Sequence, residues 1–212
     1  MTRSPPTDAA WTPAERRVLQ PLRSPLAIQG LLNTVGYSAD PFARSPRSVM
    51  RDRKANCYDG ALFAAAALRR LGYPPLLVDM RAVRDDDHVL AVFAERGCWG
   101  AIAKSNFVGL RYREPIHRTL RELVISYFND YFNSAGEKTL RSYSTPVDLA
   151  RLDRLEWMTR DENLDEVADH LDRARHTAIA TPGQITRLAK VDARTLKAGL
   201  VGSVKAGLYQ VG

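Results

Sequence analysis

Residues 55–72 read ANCYDGALFAAAALRRLG, and this stretch decides the fold. Small and apolar residues occupy most of its helical circumference, which predicts a buried central helix from Cys57 to Leu71, closed by Gly72. The cysteine falls in the first turn, where unpaired backbone N–H groups and the positive end of the helix dipole lower a thiol pKa. A nucleophilic cysteine is therefore one hypothesis, and a small buried hydrophobic residue is the other.

A histidine, His88, follows the cysteine by 31 residues and opens the apolar segment HVLAVFA. Short apolar runs bounded by turn residues predict strands, and the second and third runs should form a hairpin. These predicted strands cover residues 76–80, 88–94 and 98–103. In that arrangement His88 is a candidate base for Cys57. Taken alone, His88 is an ordinary strand residue or a partner of a neighbouring aspartate.

The rest of the chain predicts further helices around this centre. They should begin near Thr12 and cover about 25–34 and 47–53 before the cysteine, then 116–128 and 163–175 after a short strand at 110–113. Predicted helices that are followed along the chain by predicted antiparallel strands indicate an α+β fold. We expect a flexible N-terminus over 1–12, an α+β core over 13–140, and a mostly helical C-terminal extension over 141–212 that packs on the core.

Composition excludes several functional classes. Hydrophobic residues make up 45% and charged residues 26% of the chain, as in ordinary globular proteins. We find no signal-peptide run and no apolar stretch long enough for a bilayer, so we expect a cytoplasmic protein with no membrane partner. Cys57 and Cys98 lack zinc-site spacing, so no metal site is expected and no cofactor is implied. The net charge of +7 is scattered along the chain, which does not favour nucleic acid as a partner.

The order of a helix-borne cysteine, a strand-borne histidine and a tryptophan-containing strand resembles the bacterial transglutaminase-like superfamily, which shares its core with papain-type cysteine proteases. The segments that carry the resemblance are NCYDGA at 56–61, DHVLAV at 87–92 and GCWGAI at 97–102, within about a third of the chain. The resemblance implies a papain/transglutaminase-like core in which the cysteine-bearing helix packs on a small antiparallel sheet. It also implies that Cys57 is the nucleophile, that His88 is the general base, and that a third polar residue orients the imidazole.

The third residue departs from the family pattern, which usually has an aspartate a few residues after the tryptophan. Trp99 is followed by GAIAKSNF, with no acid. A three-residue loop at 95–97 would put Asn106 on the histidine face, whereas a two-residue turn would put Ser105 opposite His88. Asn106 is our first candidate, because its carbonyl can accept a hydrogen bond from an imidazole N–H, and Ser105 is the second.

The predicted function is cysteine-dependent acyl transfer or hydrolysis at amide bonds of a peptide or protein, by a peptidase, amidase, deamidase or transglutaminase. Asn56 is a candidate oxyanion donor beside the backbone N–H groups of the helix start, and Trp99 is a candidate substrate contact that is most simply a core aromatic residue. The alternative is a catalytically degenerate relative that serves as a binding or scaffolding module. The missing aspartate favours that alternative.

Overall fold

The structure, a computed structural model, describes residues 10–210. Most of the predicted flexible N-terminus lies outside the described residues. The helices are α1 Pro13–Leu19, α2 Pro25–Thr34, α3 Pro46–Asp52, α4 Cys57–Arg70, α5 Leu120–Ile125, α6 Leu164–Asp172, α7 Pro182–Ile185 and α8 Ala193–Gly199, with 3-10 helices over Leu149–Leu155 and Lys205–Gly207. The strands are β1 Gly36–Tyr37, β2 Lys54–Ala55, β3 Leu76–Ala82, β4 His88–Glu95, β5 Cys98–Ile102, β6 Arg113–His117, β7 Leu140–Ser144, β8 Val147–Asp148 and β9 His176–Ala178.

Helix α4 is the central helix that the sequence predicts. Its start is fixed by a reciprocal cap, in which the Asp59 N–H donates to Asn56 Oδ1 at 2.9 Å and the Asn56 N–H donates to Asp59 Oδ2 at 3.1 Å. The buried Asp59 carboxylate also accepts from the Arg44 N–H at 2.7 Å. These bonds hold the first turn of α4, and with it Cys57, against the rest of the core.

A seven-stranded sheet lies beside α4, with the order β6-β5-β4-β3-β7-β9 and with β8 paired to β3. Neighbouring strands are antiparallel. Alternate residues of β4 point to two apolar clusters: Val89 and Ala91 join the α4 side, and Leu90 and Val92 join the side that α5 covers. β4 is therefore buried on both faces, and its first residue, His88, lies on the same face as Leu90 and Val92. The fold is α+β.

The β4–β5 hairpin has the two-residue turn, so the three-residue loop that led to Asn106 is wrong. Glu95 pairs with Cys98, and the turn residues Arg96 and Gly97 have φ of 49° and 80°. Two successive positive φ values are typical of the turn that best matches strand twist in a hairpin. Arginine accepts this conformation here, which residue preference alone does not predict.

The structure also corrects the segment after β5. The chain forms strand β6 at Arg113–His117, where we had predicted that a helix begins at 116, and α5 starts only at Leu120. Thr119 caps α5 by accepting from the Glu122 N–H at 3.1 Å. Pro115 is tolerated in β6 because β6 is an edge strand of the sheet.

The C-terminal third contributes to the sheet as well as helices. Strand β7, at Leu140–Ser144, pairs with β3 and with β9, so the predicted boundary between 140 and 141 falls inside a strand. The core therefore continues past residue 140. Among residues 10–210, no helix combines the length and apolar character needed to cross a membrane.

Candidate active site

Cys57 is the first residue of α4, and its sulfur lies against the start of β4. The Sγ atom is 3.7 Å from the carbonyl oxygen of Asp87, and the backbone N–H groups of Val89 and Tyr58 hydrogen-bond to it. Cys57 is partly exposed, yet desolvation of its sulfur by the surrounding residues raises the pKa of the thiol to about 12, although these two N–H groups act in the opposite direction. The helix start was expected to lower this pKa, but desolvation outweighs the dipole. At neutral pH the resting group is a thiol.

His88 begins β4 and is 4% exposed. Its Nε2 lies 2.9 Å from the carbonyl oxygen of Leu110. A carbonyl only accepts, so Nε2 carries the proton and Nδ1 carries the lone pair in the neutral ring. Burial lowers the pKa of His88 to about 4, so the imidazole is neutral at physiological pH. The structure therefore supplies a fixed neutral imidazole with one basic nitrogen.

Side chains fix the backbone carbonyls on either side of Leu110, the residue whose carbonyl binds His88. The Arg113 guanidinium donates to the Gly109 carbonyl at 2.9 Å, and the Tyr127 hydroxyl donates to the Arg111 carbonyl at 2.6 Å. The Arg113 guanidinium also stacks over the Tyr127 ring, 4.0 Å from its centroid. Sequence reasoning missed Leu110, because a backbone carbonyl leaves no side-chain signature.

Cys57 and His88 line one cleft. Its inner part has a volume of about 40 Å³, enough for a few water molecules. Its outer part, about 490 Å³, contains Cys57 and Asn56 but not His88. The inner wall includes Asp85, whose pKa is raised to about 6 by burial although it accepts from the Thr139 hydroxyl at 2.6 Å.

Asn106 and Ser105 are buried and line the inner cleft, but their polar atoms have other partners. Asn106 Nδ2 donates to the carbonyl oxygens of Val204 and Gly207, both at 2.9 Å. The Ser105 hydroxyl accepts from the Phe107 N–H at 3.0 Å. Among the described residues, the hydrogen-bond partner of His88 Nε2 is Leu110, and Asn106 does not orient the imidazole in this arrangement.

Asn56 and Trp99 are far apart in the structure. Asn56 lines the outer cleft next to Cys57, and its Oδ1 is committed to the helix cap. Trp99 pairs with Ala94, at the opposite end of β4 from His88, and packs against the apolar cluster on the α5 side. The structure does not bring Trp99 into the cleft, which agrees with its simpler interpretation as a core aromatic residue.

Several cleft residues were not predicted as site residues. Tyr37 lines both parts of the cleft, and Tyr131 lines the inner part with its ring edge-on to His88 at 6.3 Å between centroids. The Tyr131 hydroxyl donates to the Asp86 carbonyl at 2.8 Å and so fixes the loop before β4. The C-terminal residues Gly207 and Tyr209 also line both parts. Within residues 10–210, no group of three or more His, Cys, Asp or Glu side chains is placed to hold a metal ion.

Comparison with known proteins gives a distant and partial similarity. No family model and no curated protein matches the chain. Two solved structures of Legionella pneumophila LapG, one of them EGTA-treated, are similar to it with 16% sequence identity and a TM-score of 0.34. The similarity covers 46% of this chain and 65% of the LapG chain. The comparison therefore assigns no role to any residue of this protein.

Proposed function

We propose that this protein is a cysteine-dependent enzyme that transfers or hydrolyses acyl groups at amide bonds of a peptide or protein. The observation that carries the proposal is the shared cleft of Cys57 and His88, in which the Leu110 carbonyl holds the imidazole proton on Nε2. The lone pair of Nδ1 is then the base of the site. A backbone carbonyl thus does the positioning that an asparagine or aspartate side chain does in other cysteine sites.

In the proposed reaction the thiol and imidazole are neutral at rest, so proton transfer accompanies attack. Nδ1 of His88 takes the thiol proton as the sulfur forms a bond to the substrate carbonyl carbon, whose π electrons move to oxygen. The imidazolium then protonates the leaving nitrogen, the C–N bond breaks, and a thioester remains on Cys57. Water or a second amine attacks the thioester, gives its proton to His88, and releases the product and the thiol.

The start of α4 supports the oxyanion in this scheme. The side chains of Asn56 and Asp59 cap each other's backbone N–H groups, which leaves the Cys57 N–H at the open end of the helix, beside the Tyr58 N–H that hydrogen-bonds to the Cys57 sulfur. Such donors, together with the helix dipole, favour negative charge on a nearby oxygen. Asn56 remains a candidate to contribute through its amide nitrogen.

A generic acyl donor tests the proposal without knowledge of the substrate. In a Cys98→Ala background, p-nitrophenyl acetate should acetylate Cys57 and release p-nitrophenolate, which is measured by its absorbance. Mass spectrometry of the Cys57 peptide then identifies the acetylated residue. We expect His88→Gln to slow acetylation about 100-fold or more, because general-base catalysis typically contributes this much. His170→Gln is the matched control, since His170 is outside the cleft on α6. Equal rates in the His88→Gln variant and its parent would refute the proposed dyad.

A binding or scaffolding module is the second candidate. The raised pKa of Cys57 and the narrow inner cleft of about 40 Å³ favour it, because a thiol with a raised pKa is a poor nucleophile and inertness is typical of a structural cysteine. Acetylation of Cys57 that does not depend on His88 would support this second function.

A further inference from the structure

The C-terminal segment over residues 203–209 crosses the cleft that holds Cys57 and His88. Gly207 and Tyr209 line its inner and outer parts, and Ala206 and Leu208 line the outer part. Gly207 and Tyr209 therefore lie where the outer cleft, which Cys57 also lines, meets the inner one, where His88 lies. A substrate that must contact both Cys57 and His88 has to share this junction with the segment.

Asn106 binds the backbone of the segment with its whole amide group. Its Nδ2 donates to the carbonyl oxygens of Val204 and Gly207, and its Oδ1 accepts from the Val204 N–H at 2.8 Å. Asn106 is 6% exposed, so these bonds are formed away from bulk water. A buried primary amide that binds peptide backbone in this way recognises a main chain, whatever side chains it carries.

The Tyr37 ring limits the size of the side chain at position 207 of the segment. A Cβ added at Gly207 would lie 2.5 Å from Cε1 of Tyr37 and 3.3 Å from Nδ2 of Asn106. Any side chain at position 207 would therefore require the Tyr37 ring to move. Contacts of this kind define a binding position for a peptide with glycine at one place.

We propose that the cleft is a peptide-binding groove, and that residues 203–209 occupy it as an internal ligand that restricts access to His88 and to the inner side of Cys57 until the segment leaves. The inference rests on the proposed function only in taking Cys57 as the shielded group. It gives Asn106 the role of a peptide-binding residue instead of a partner of His88. Removal of the segment would open the 40 Å³ inner cleft to a substrate and increase the exposure of the thiol, which is partial in the closed arrangement.

Alkylation of Cys57 by iodoacetamide measures this shielding and needs no turnover. Asn106→Asp removes both donated bonds, and Gly207→Val introduces the clash with Tyr37, so both should release the segment from the full-length chain. We expect Cys57 alkylation at pH 8 to be faster by about tenfold or more in each variant, because the thiol regains solvent and thiolate. Trypsin should also cut faster after the exposed Lys205.

Two matched controls and one internal control accompany these variants. Gly183→Val makes the same change where no atom lies within 4 Å of the new Cβ, and Asn129→Asp makes the same change at an exposed asparagine. Both should keep the parent alkylation rate. Cys98, on β5 and outside the cleft, reports general loosening of the fold.

Three results would overturn the inference. The first is a Cys57 rate within twofold of the parent in both variants, and the second is faster cleavage after Lys205 without faster alkylation of Cys57. The third is an equal acceleration at Cys98, which would reveal general unfolding. Failure of the acetylation test of Cys57 leaves these readouts intact, so the proposed function and this inference can fail separately.

Discussion

Acidification should destabilise the protein through His88. The pKa of this group is 6.5 in an ordinary setting and about 4 in the fold, so between these values the unfolded chain binds a proton that the folded chain does not. The stabilisation is complete above pH 6.5 and is lost as the pH falls towards 4. This pKa difference corresponds to a loss of about 3 kcal/mol of unfolding free energy in total, and of about 2 kcal/mol between pH 6.5 and pH 5.

Asp85, on the same cleft, opposes this effect. Its pKa in the fold, about 6, is above the ordinary 3.8, so the folded chain takes up this proton first and gains stability as the pH falls below 6. The two effects largely cancel in the parent protein. The Asp85→Asn substitution removes the effect of Asp85, so that the effect of His88 on the unfolding free energy can be measured.

The assay is urea unfolding of Asp85→Asn with and without His88→Gln at several pH values. Glutamine keeps a donor for the Leu110 carbonyl and has no titrating group. The difference in unfolding free energy between the two proteins should change by about 2 kcal/mol from pH 6.5 to pH 5, because only one of them carries the buried histidine. A difference that stays constant over this range would refute the buried neutral imidazole, and with it the assignment of Nδ1 as the base.

Two further predictions concern Lys104, a buried lysine whose Nζ donates to the backbone carbonyls of Val35 and, at 3.1 Å, Leu32 at the end of α2. Lys104→Met should lower the unfolding free energy by about 1–3 kcal/mol in urea titrations, because it removes the buried donor of the Val35 carbonyl, whereas the Leu32 carbonyl keeps the Val35 N–H. An unchanged midpoint would contradict this. Gly60→Ala should cost about 1–3 kcal/mol, because the new Cβ would lie 2.3 Å from Cβ of Lys104. Gly183→Ala, at an open position, is its control and should change the midpoint little.

The central helix and the strand that bears His88 could be predicted from sequence because their signals are local. The cap formed by Asn56 and Asp59 and the alanine-rich run after it define α4 without reference to the rest of the chain. The β4–β5 hairpin was also predicted, but its register was not, because it depends on one arginine adopting a positive φ. A register change of one residue is enough to exchange Ser105 and Asn106 as neighbours of His88.

The partners of the site could not be predicted, because they depend on contacts between distant parts of the chain. Asn106 is held by residues almost a hundred positions later, and no local pattern indicates that contact. Likewise, the direction in which the thiol pKa shifts depends on how far distant residues desolvate the Cys57 sulfur, whereas the sequence shows only the helix start.

The backbone partner of His88 changes how this site would respond to mutation over evolutionary time. The acceptor is the backbone carbonyl of Leu110, so no substitution of that side chain removes it. The substitution Leu110→Ala would therefore change side-chain packing alone. Selection for the imidazole orientation would fall instead on Arg113 and Tyr127, which lock the neighbouring carbonyls. Chemical replacement of the peptide unit that carries this carbonyl by an ester, which weakens the acceptor, would probe the contact directly.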